Sequence, residues 1–275
     1  MQVELTERDF RNFSELIYEK CGINLHQGKR ELLKARLSKV LRKSSFDSVT
    51  EYYHYLMKDT SGDAFIPLLD VISTNLTAFL REPRHFDFLG DTVVPELFGG
   101  SGQNGSGDIQ VWCAGCSSGE EAYSIAMTLL EALPQPRHRD LHILATDIST
   151  RMLRTADRGV YDASRVEKVP YPLRRQYFQK GINRWSGYYR VKPPVRERIR
   201  FQRLNFIEPF SFPRPFDVVF CRNVMIYFDK TTQEDLVNRF YQVLKSPGYL
   251  FIGHSESLTG VRHRFRYVRP SVYRK

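Results

Sequence analysis

Residues able to do chemistry together cluster in a few short stretches of this chain. The first, 111–124, reads VWCAGCSSGEEAYS: an apolar segment breaks into glycines and small residues, then resumes as an acidic helical pattern. A strand, a bend and a helix start gather backbone amides at one point, where a nucleotide-like ligand can approach closely. A Cβ at Gly115 or Gly119 would sit where such a ligand must lie. The glycine spacing matches neither the dinucleotide fingerprint nor the phosphate loop, which also needs Lys followed by Ser or Thr. A binding loop and a tight strand-to-helix turn both fit. Further on, Asp147 ends a second apolar run, where a carboxylate could accept from both hydroxyls of a ribose or cap the next helix. Without a phosphate motif the residues suit a nucleoside-like cofactor rather than ATP. S-adenosylmethionine has the parts required: ribose and adenine, no phosphate, a carboxylate and a sulfonium.

A parallel sheet is what positions such residues, and from Ile109 onward strand and helix patterns alternate as one requires. Strands are expected at 109–114, 142–146, 216–221 and 248–253, with an edge strand at 265–273 closing the sheet. Helices are expected at 120–133, after Thr150, at 172–178 and at 233–244. Open sheets bind ligands at the carboxyl ends of their strands. That rule selects 114–121, Asp147, Asn205 with Phe206, and 222–227. Between the last two helices, Tyr188, Tyr189, Val191, Val195, Ile199 and Phe201 alternate loosely with arginines, which predicts a small antiparallel insert over 179–204.

The first 72 residues read as an all-helical domain. Leu5, Phe10, Phe13, Leu16 and Ile17 give 5–20 one apolar face, with Thr6 placed to cap its start. A second helix, 28–41, has Leu32, Leu33, Leu37, Val40 and Leu41 as its buried side. Its other side carries Lys29, Arg30, Lys34, Arg36, Lys39 and Arg42, which fits either a solvated face or a docking surface for an acidic helix. Two more helices are expected at 48–57 and 64–72. Residues 73–107 join this domain to the sheet: STNLTAFLR is dense in polar groups, Phe86, Phe88, Leu89, Val93 and Leu97 offer a helix face, and GGSGQNGSG at 99–107 reads as a flexible loop.

Composition narrows the class. At 275 residues, 41% hydrophobic and 26% charged, the chain can bury a full α/β core with a smaller domain beside it. No apolar run is long enough to span a membrane, and the acidic start MQVELTERDF is unlike a secretory signal, so a cytoplasmic protein is expected. Cys21, Cys113, Cys116 and Cys221 read as free thiols. The Cys113 and Cys116 pair has no second pair to complete a metal site, so no metal is expected. The net charge of +10 is local: residues 151–214 carry 16 Lys and Arg against 5 Asp and Glu. A field of that kind collects an acidic partner, either a protein surface or a nucleic acid.

Four stretches carry a resemblance. Residues 73–82 with TNLTAFLRE, 112–124, 145–149 and FCRNVMIYFDK at 220–230 resemble the CheR family of chemotaxis receptor methyltransferases, and the likeness extends over nearly the whole chain. It implies an α/β fold: a Rossmann-like S-adenosylmethionine-dependent methyltransferase domain over 108–275 with a small antiparallel β insertion, preceded by an all-helical N-terminal domain. It implies transfer of a methyl group to glutamate side chains on the cytoplasmic helices of bacterial chemoreceptors, leaving methyl esters and S-adenosylhomocysteine. By similarity the cofactor is held by Asn75, Thr77 and Arg81, by Ala114, Gly115 and Glu121, by Asp147 and Ile148, and by Asn205, Phe206, Arg222 and Asn223. Arg81 and Tyr227 would lie nearest the reacting groups; Glu120 stands beside Glu121 with no role assigned.

The same resemblance gives the charge a meaning. Lys34, Arg36 and Lys39 would dock on the receptor's helical bundle, and the insert is similar to the part by which some members hold a receptor C-terminal peptide through strand addition. Here Gly181-Ile182-Asn183 stands where tail-binding members have a Gly-x-Gly turn, a departure that weighs against tail binding. A monomer is expected, with no nucleic acid and no membrane insertion. The alternatives are a methyltransferase of nucleic acid, against which no nucleic-acid module is recognisable, and a non-catalytic adaptor, against which the set Arg81, Asp147, Asn223 and Tyr227 is intact.

Overall fold

Helix α1 (Glu7–Cys21) begins where the Thr6 hydroxyl accepts from the Asp9 amide at 3.1 Å and the Asp9 carboxylate accepts from the Thr6 amide at 3.2 Å. It stops at Gly22, in the left-handed region with a φ of 73°. The structure, a computed structural model, describes residues 4–60, 62–73, 75–98, 108–133 and 141–275; the glycine-rich 99–107 stretch lies outside the described residues. Helices α2 (Arg30–Leu41), α3 (Val49–Lys58) and α4 (Ile66–Ile72) complete the N-terminal domain. The four helices bury Phe13, Ile17, Leu33, Leu37 and Leu68 in a core of their own, each contributing about 1.5–3 kcal/mol. Leu32 departs from the expected pattern. It is 41% exposed, because it lies on the flank of the buried stripe and faces a cleft.

Helix α5 (Pro83–Phe88), a wide π turn (Leu89–Val93) and α6 (Val94–Phe98) form one run that packs Phe86, Leu89 and Val93 against the sheet. Then come β1 (Ile109–Ala114), α7 (Glu120–Ala132), β2 (Leu141–Asp147), α8 (Thr150–Arg158), β3 (Val160–Asp162), α9 (Ala163–Val166), α10 (Tyr171–Tyr177), β4 (Phe178–Lys180), β5 (Tyr188–Val191) and α11 (Pro193–Arg196). The chain ends with β6 (Ile199–Arg203), β7 (Phe216–Cys221), α12 (Lys230–Val243), β8 (Leu244–Ile252), β9 (Arg266–Arg269) and β10 (Val272–Arg274). Seven strands make the main sheet in the order β6-β2-β1-β7-β8-β10-β9, parallel from β6 to β8 and antiparallel beyond. Every residue of β7 is buried, Asp217 included, so its apolar side chains do not alternate with exposed polar ones. Trp112 is fully buried among Phe206, Phe210, Phe212, Phe216 and Phe240, and its indole N–H donates to Thr146 Oγ1 at 2.9 Å.

Two sequence expectations are corrected here. The insert expected over 179–204 is two things: a separate three-stranded sheet ordered β3-β5-β4, beginning already at Val160, and β6, which joins the main sheet parallel to β2 with Ile199 beside Ile143. Ile199 and Phe201 pack on the main core while Arg200 and Gln202 face out, so the alternation seen at 199–203 belongs to a half-buried edge strand. The single closing strand expected at 265–273 is a hairpin, broken at Ser271 with its φ of 64°.

The two domains are joined by specific bonds. Asp70 of α4 accepts from Ser149 Oγ at 2.6 Å and from the Arg151 amide at 3.2 Å, placing a carboxylate at the start of α8. Tyr18 Oη donates to Asp229 at 2.6 Å, and the Asn24 amide donates to the Tyr227 carbonyl at 2.9 Å. A cleft remains between α2 and the carboxyl ends of β1, β2, β6 and β7. No described helix is long and apolar enough to cross a membrane.

Candidate functional site

The cleft opens onto about 1110 Å³ of space, part of it continuous with solvent. Its position follows from the topology: β1 is followed on one side by β2 and β6 and on the other by β7 and β8, so the chain reverses its direction of winding at β1. Asn75, Thr77, Arg81, Gly115, Glu121, Asp147, Ile148, Asn205, Phe206, Arg222, Asn223 and Tyr227 all line it. Ala114 does not. It is fully buried one residue earlier, on the Trp112 side of the sheet.

Asp147 is held by backbone amides and is not itself the cap of the next helix. Its Oδ2 accepts from the Ser117 amide at 2.7 Å and its Oδ1 from the Ser149 amide at 2.9 Å, while Ser149 itself caps α8. The carboxylate therefore ties the 115–119 turn to the start of α8, and still faces the cleft. The glycines of the turn have a cause within the protein itself. A Cβ on Gly115 would lie 2.3 Å from Val224 Cγ2, and one on Gly119 2.7 Å from Ala156 Cβ; both glycines have positive φ, at 89° and 97°. Protein packing and backbone conformation already demand both of them.

Arg222 binds the cleft's far wall together. Its side chain is wholly buried, with Nη2 3.0 Å from Glu82 Oε2 and 2.5 Å from the Arg81 carbonyl, which accepts from it. Nη1 lies 3.1 Å from Glu121 Oε2 as an ion pair but out of line for a hydrogen bond. Burial alone would raise the Glu82 carboxyl, but Arg222, with His254 and His85, holds the group below its ordinary value. Deeper in, burial wins at Glu121 and raises it despite the same guanidinium. Glu120 and Glu121 divide clearly: Glu121 faces the cleft, whereas Glu120 is fully buried beneath the small sheet and pairs with Arg165. Arg81 donates Nη1 to the Leu76 carbonyl at 2.8 Å, closing its own loop and keeping its other donors.

Some site residues gave no signal in the sequence. Glu256 accepts from the amides of Asn223, Val224, Met225 and Gly253 at 2.6–2.9 Å, and so shapes the loop that carries Asn223 and Tyr227. Asn223 adopts a φ of 59°, a left-handed conformation that asparagine tolerates better than most residues. Asn205 donates to the Lys20 carbonyl at 2.7 Å and to Glu208 at 2.9 Å, so its amide joins the domains as well as lining the cleft. Helix α2 contributes more than expected. Lys29 and Arg36 line the cleft, with Lys29 Nζ 5.7 Å from the Tyr227 ring centre, whereas Lys34 lies on the opposite flank of the helix.

Behind Glu82 sits His85, 2% exposed, with neither ring nitrogen hydrogen-bonded among the described residues. Burial, then the charge of Arg222, lowers it from 6.5 to about 3, against the opposing pull of Glu82; His254 and Arg269 also face it and lower it further. A folded value below the unfolded one means that unfolding takes up a proton between them. Stability is therefore at its full level above pH 6.5 and falls as the pH drops toward about 3. Wild-type unfolding free energy should fall more steeply than that of His85→Leu over this window, by up to about 1.4 kcal/mol per pH unit. Urea titrations at several pH values giving parallel slopes would show that His85 is not held neutral.

Known proteins are similar to this chain over nearly its whole length. The profile described as "CheR methyltransferase, SAM binding domain" matches residues 75–274, and "CheR methyltransferase, all-alpha domain" matches 8–73. A "Chemotaxis protein methyltransferase" of Borreliella burgdorferi is 39% identical over 100% of this chain and 96% of its own length. Proteins of the same description from Salmonella typhimurium and Escherichia coli are each 36% identical over 99% of this chain and cover 91% and 92% of their own lengths.

Proposed function

This chain belongs to the CheR methyltransferase family, and from that membership we propose how its residues divide the work of a chemoreceptor methyltransferase. The enzyme is an S-adenosylmethionine-dependent protein-glutamate O-methyltransferase that modifies chemoreceptors in sensory adaptation. The observation that carries the site assignment is that residues of both signature stretches, within 75–81 and 222–228, line one cleft at the strand tips together with Asp147.

The residues present fit the cofactor. A carboxylate has about four acceptor positions, and two of Asp147's are taken by amides, which leaves acceptors for a ribose hydroxyl. Ile148 and Phe206 offer apolar surface to a purine, and Glu121 and Arg81 offer opposite charges to an amino-acid end. S-adenosylmethionine, when bound, supplies an activated methyl group on a good leaving group. What the chain must add is alignment and the exclusion of water. A glutamate carboxylate, with a pKa of about 4.3, is already ionised at neutral pH, so no general base is required. Arg81 and Tyr227 are the groups we assign to orienting the reacting atoms. In a fixed-concentration assay, radiolabelled cofactor with a receptor cytoplasmic fragment should give label released by mild alkali, the mark of an ester; alkali-stable label would contradict glutamate as the acceptor.

Arg36 and Lys29 bring the acidic side chain in. Burial lowers the Arg36 guanidinium below its ordinary value, so an arriving carboxylate stabilises a charge the cleft itself disfavours. Lys34 and Lys39 belong to the outer docking face, where water and salt screen them. Arg36→Glu should therefore lower receptor methylation at least about tenfold, while Lys34→Glu should change it less than about threefold and only at low salt. Equal losses for both would place docking on the whole helix face.

A receptor tail site at the small sheet is supported by three features. β4 is an edge strand, open to strand addition. A groove of about 700 Å³ beside it is lined by Ile182, Trp185 and Tyr188, exposed apolar residues, with Lys180 and Arg190. Asn183 holds a φ of 51°, so it supplies the left-handed turn position that a second glycine would have supplied. A receptor C-terminal peptide should bind there, and Trp185→Ala should weaken it about tenfold; equal binding by the variant would place the peptide elsewhere.

A further inference from the structure

Ser118 is the centre of contacts that methyl transfer does not use. Its carbonyl accepts from Tyr161 Oη at 2.6 Å. Its hydroxyl accepts from Arg165 Nη2 at 2.9 Å and donates to Glu120 Oε2 at 2.7 Å, and Arg165 also forms an ion pair with Glu120. Ser118, Glu120 and Tyr161 are buried. Tyr161 belongs to β3 and Arg165 to α9, both in the lobe of the small sheet, and neither lines the cleft. The Tyr161 ring also meets Phe79 edge-on at 5.0 Å, and Phe79 lies between Thr77 and Arg81. One tyrosine outside the cleft thus supports both segments that face the cofactor.

We propose that Tyr161, together with Arg165, is a positioning residue for cofactor binding: it fixes Ser118, and through it the Ser117 amide that meets Asp147. This rests on the cleft being the S-adenosylmethionine site. Ser117 has a φ of 48°, a left-handed conformation that a serine keeps only where its surroundings over-determine it. On one side Asp147 holds its amide, and on the other the clamp on Ser118 prevents the turn from relaxing. Without the clamp the amide would leave Asp147 or pull it out of line, and the ribose would meet a carboxylate in the wrong place. The small sheet is then part of the cofactor site as well as a surface for partners. β3 shows both faces: Val160 lines the peptide groove, and the next residue, Tyr161, points to the opposite side.

Tyr161→Phe removes the hydroxyl and keeps the ring on Phe79. Titration calorimetry of the full chain with S-adenosylhomocysteine should give affinity about five- to tenfold weaker for Tyr161→Phe and for Arg165→Ala, with Arg165→Lys between Arg165→Ala and wild type. In turnover with a receptor fragment, KM for S-adenosylmethionine should rise by the same factor while kcat at saturation stays within about twofold. Melting curves confirm that each variant is folded at the titration temperature. Unchanged affinity in folded Tyr161→Phe, or a loss confined to kcat, overturns the proposal. Wild-type chain that fails to bind S-adenosylhomocysteine at all overturns the cofactor reading beneath it.

Discussion

Arg222→Ala is expected to lower the unfolding free energy by about 3–5 kcal/mol and to abolish measurable cofactor binding. The size of the effect comes from what is left behind. Arg222 is wholly buried, and around it lie the Glu82 carboxylate at 3.0 Å, the Glu121 carboxylate at 3.1 Å and the Arg81 carbonyl at 2.5 Å. Removing the one guanidinium leaves two largely covered carboxyls, their side chains 13% and 11% exposed, without their counter-charge, in a setting where burial already raises Glu121. It also frees the backbone of Arg81, whose neighbours Leu80 and Glu82 sit at left-handed φ values of 52° and 60°. Arg222→Lys keeps the charge but cannot reach three acceptors with one ammonium, so it should be intermediate. Urea unfolding reads the stability and calorimetry the affinity; a loss below about 1 kcal/mol would mean that the apparent ion pairs are screened rather than buried.

Asp147→Ala should weaken S-adenosylhomocysteine binding by about 1.5–3 kcal/mol, roughly 10- to 150-fold. Part of the loss is the ribose acceptor itself. The rest is local order, because the Ser117 and Ser149 amides both lose their partner, and with them the turn and the start of α8. Asp147→Asn separates these parts. Its amide oxygen can serve one of the two donors, while its NH2 group faces another donor and repels it. The asparagine variant should therefore melt below wild type, keeping one of the two amide bonds that alanine loses, and bind cofactor poorly. Affinity within twofold of wild type in either variant would remove Asp147 from the ribose.

How much of this was legible beforehand depends on what each residue needed. The strands Ile109–Ala114 and Phe216–Cys221 were readable to the residue, since a strand covered on both faces is mostly apolar, here interrupted by Gln110 and Asp217 alone. Thr6 was readable as a cap because the capping pattern is local. The cleft residues on strand tips were also legible, because topology places them and the family signature marks them. Glu256 was not: its four backbone partners are distant in sequence or carry no side-chain signal. Arg36 and Lys29 were visible as basic residues, but helical spacing alone could not say that their flank faces a cleft rather than water. Gly115 and Gly119 show the converse. Their presence was a correct guide to a turn, while the constraint set by Val224 and Ala156 is one that no local pattern announces. The β6 strand was misassigned because its alternation is common to a small antiparallel sheet and to the edge of a large one.

The most direct test is a crystal structure of the full chain with S-adenosylhomocysteine. The account predicts the ribose hydroxyls on Asp147, the adenine beside Ile148 and Phe206, and the sulfur turned toward Arg81 and Tyr227 at the end of the cleft that Arg36 enters. S-adenosylhomocysteine bound away from Asp147, or with its sulfur facing the sealed wall at Arg222, would contradict it.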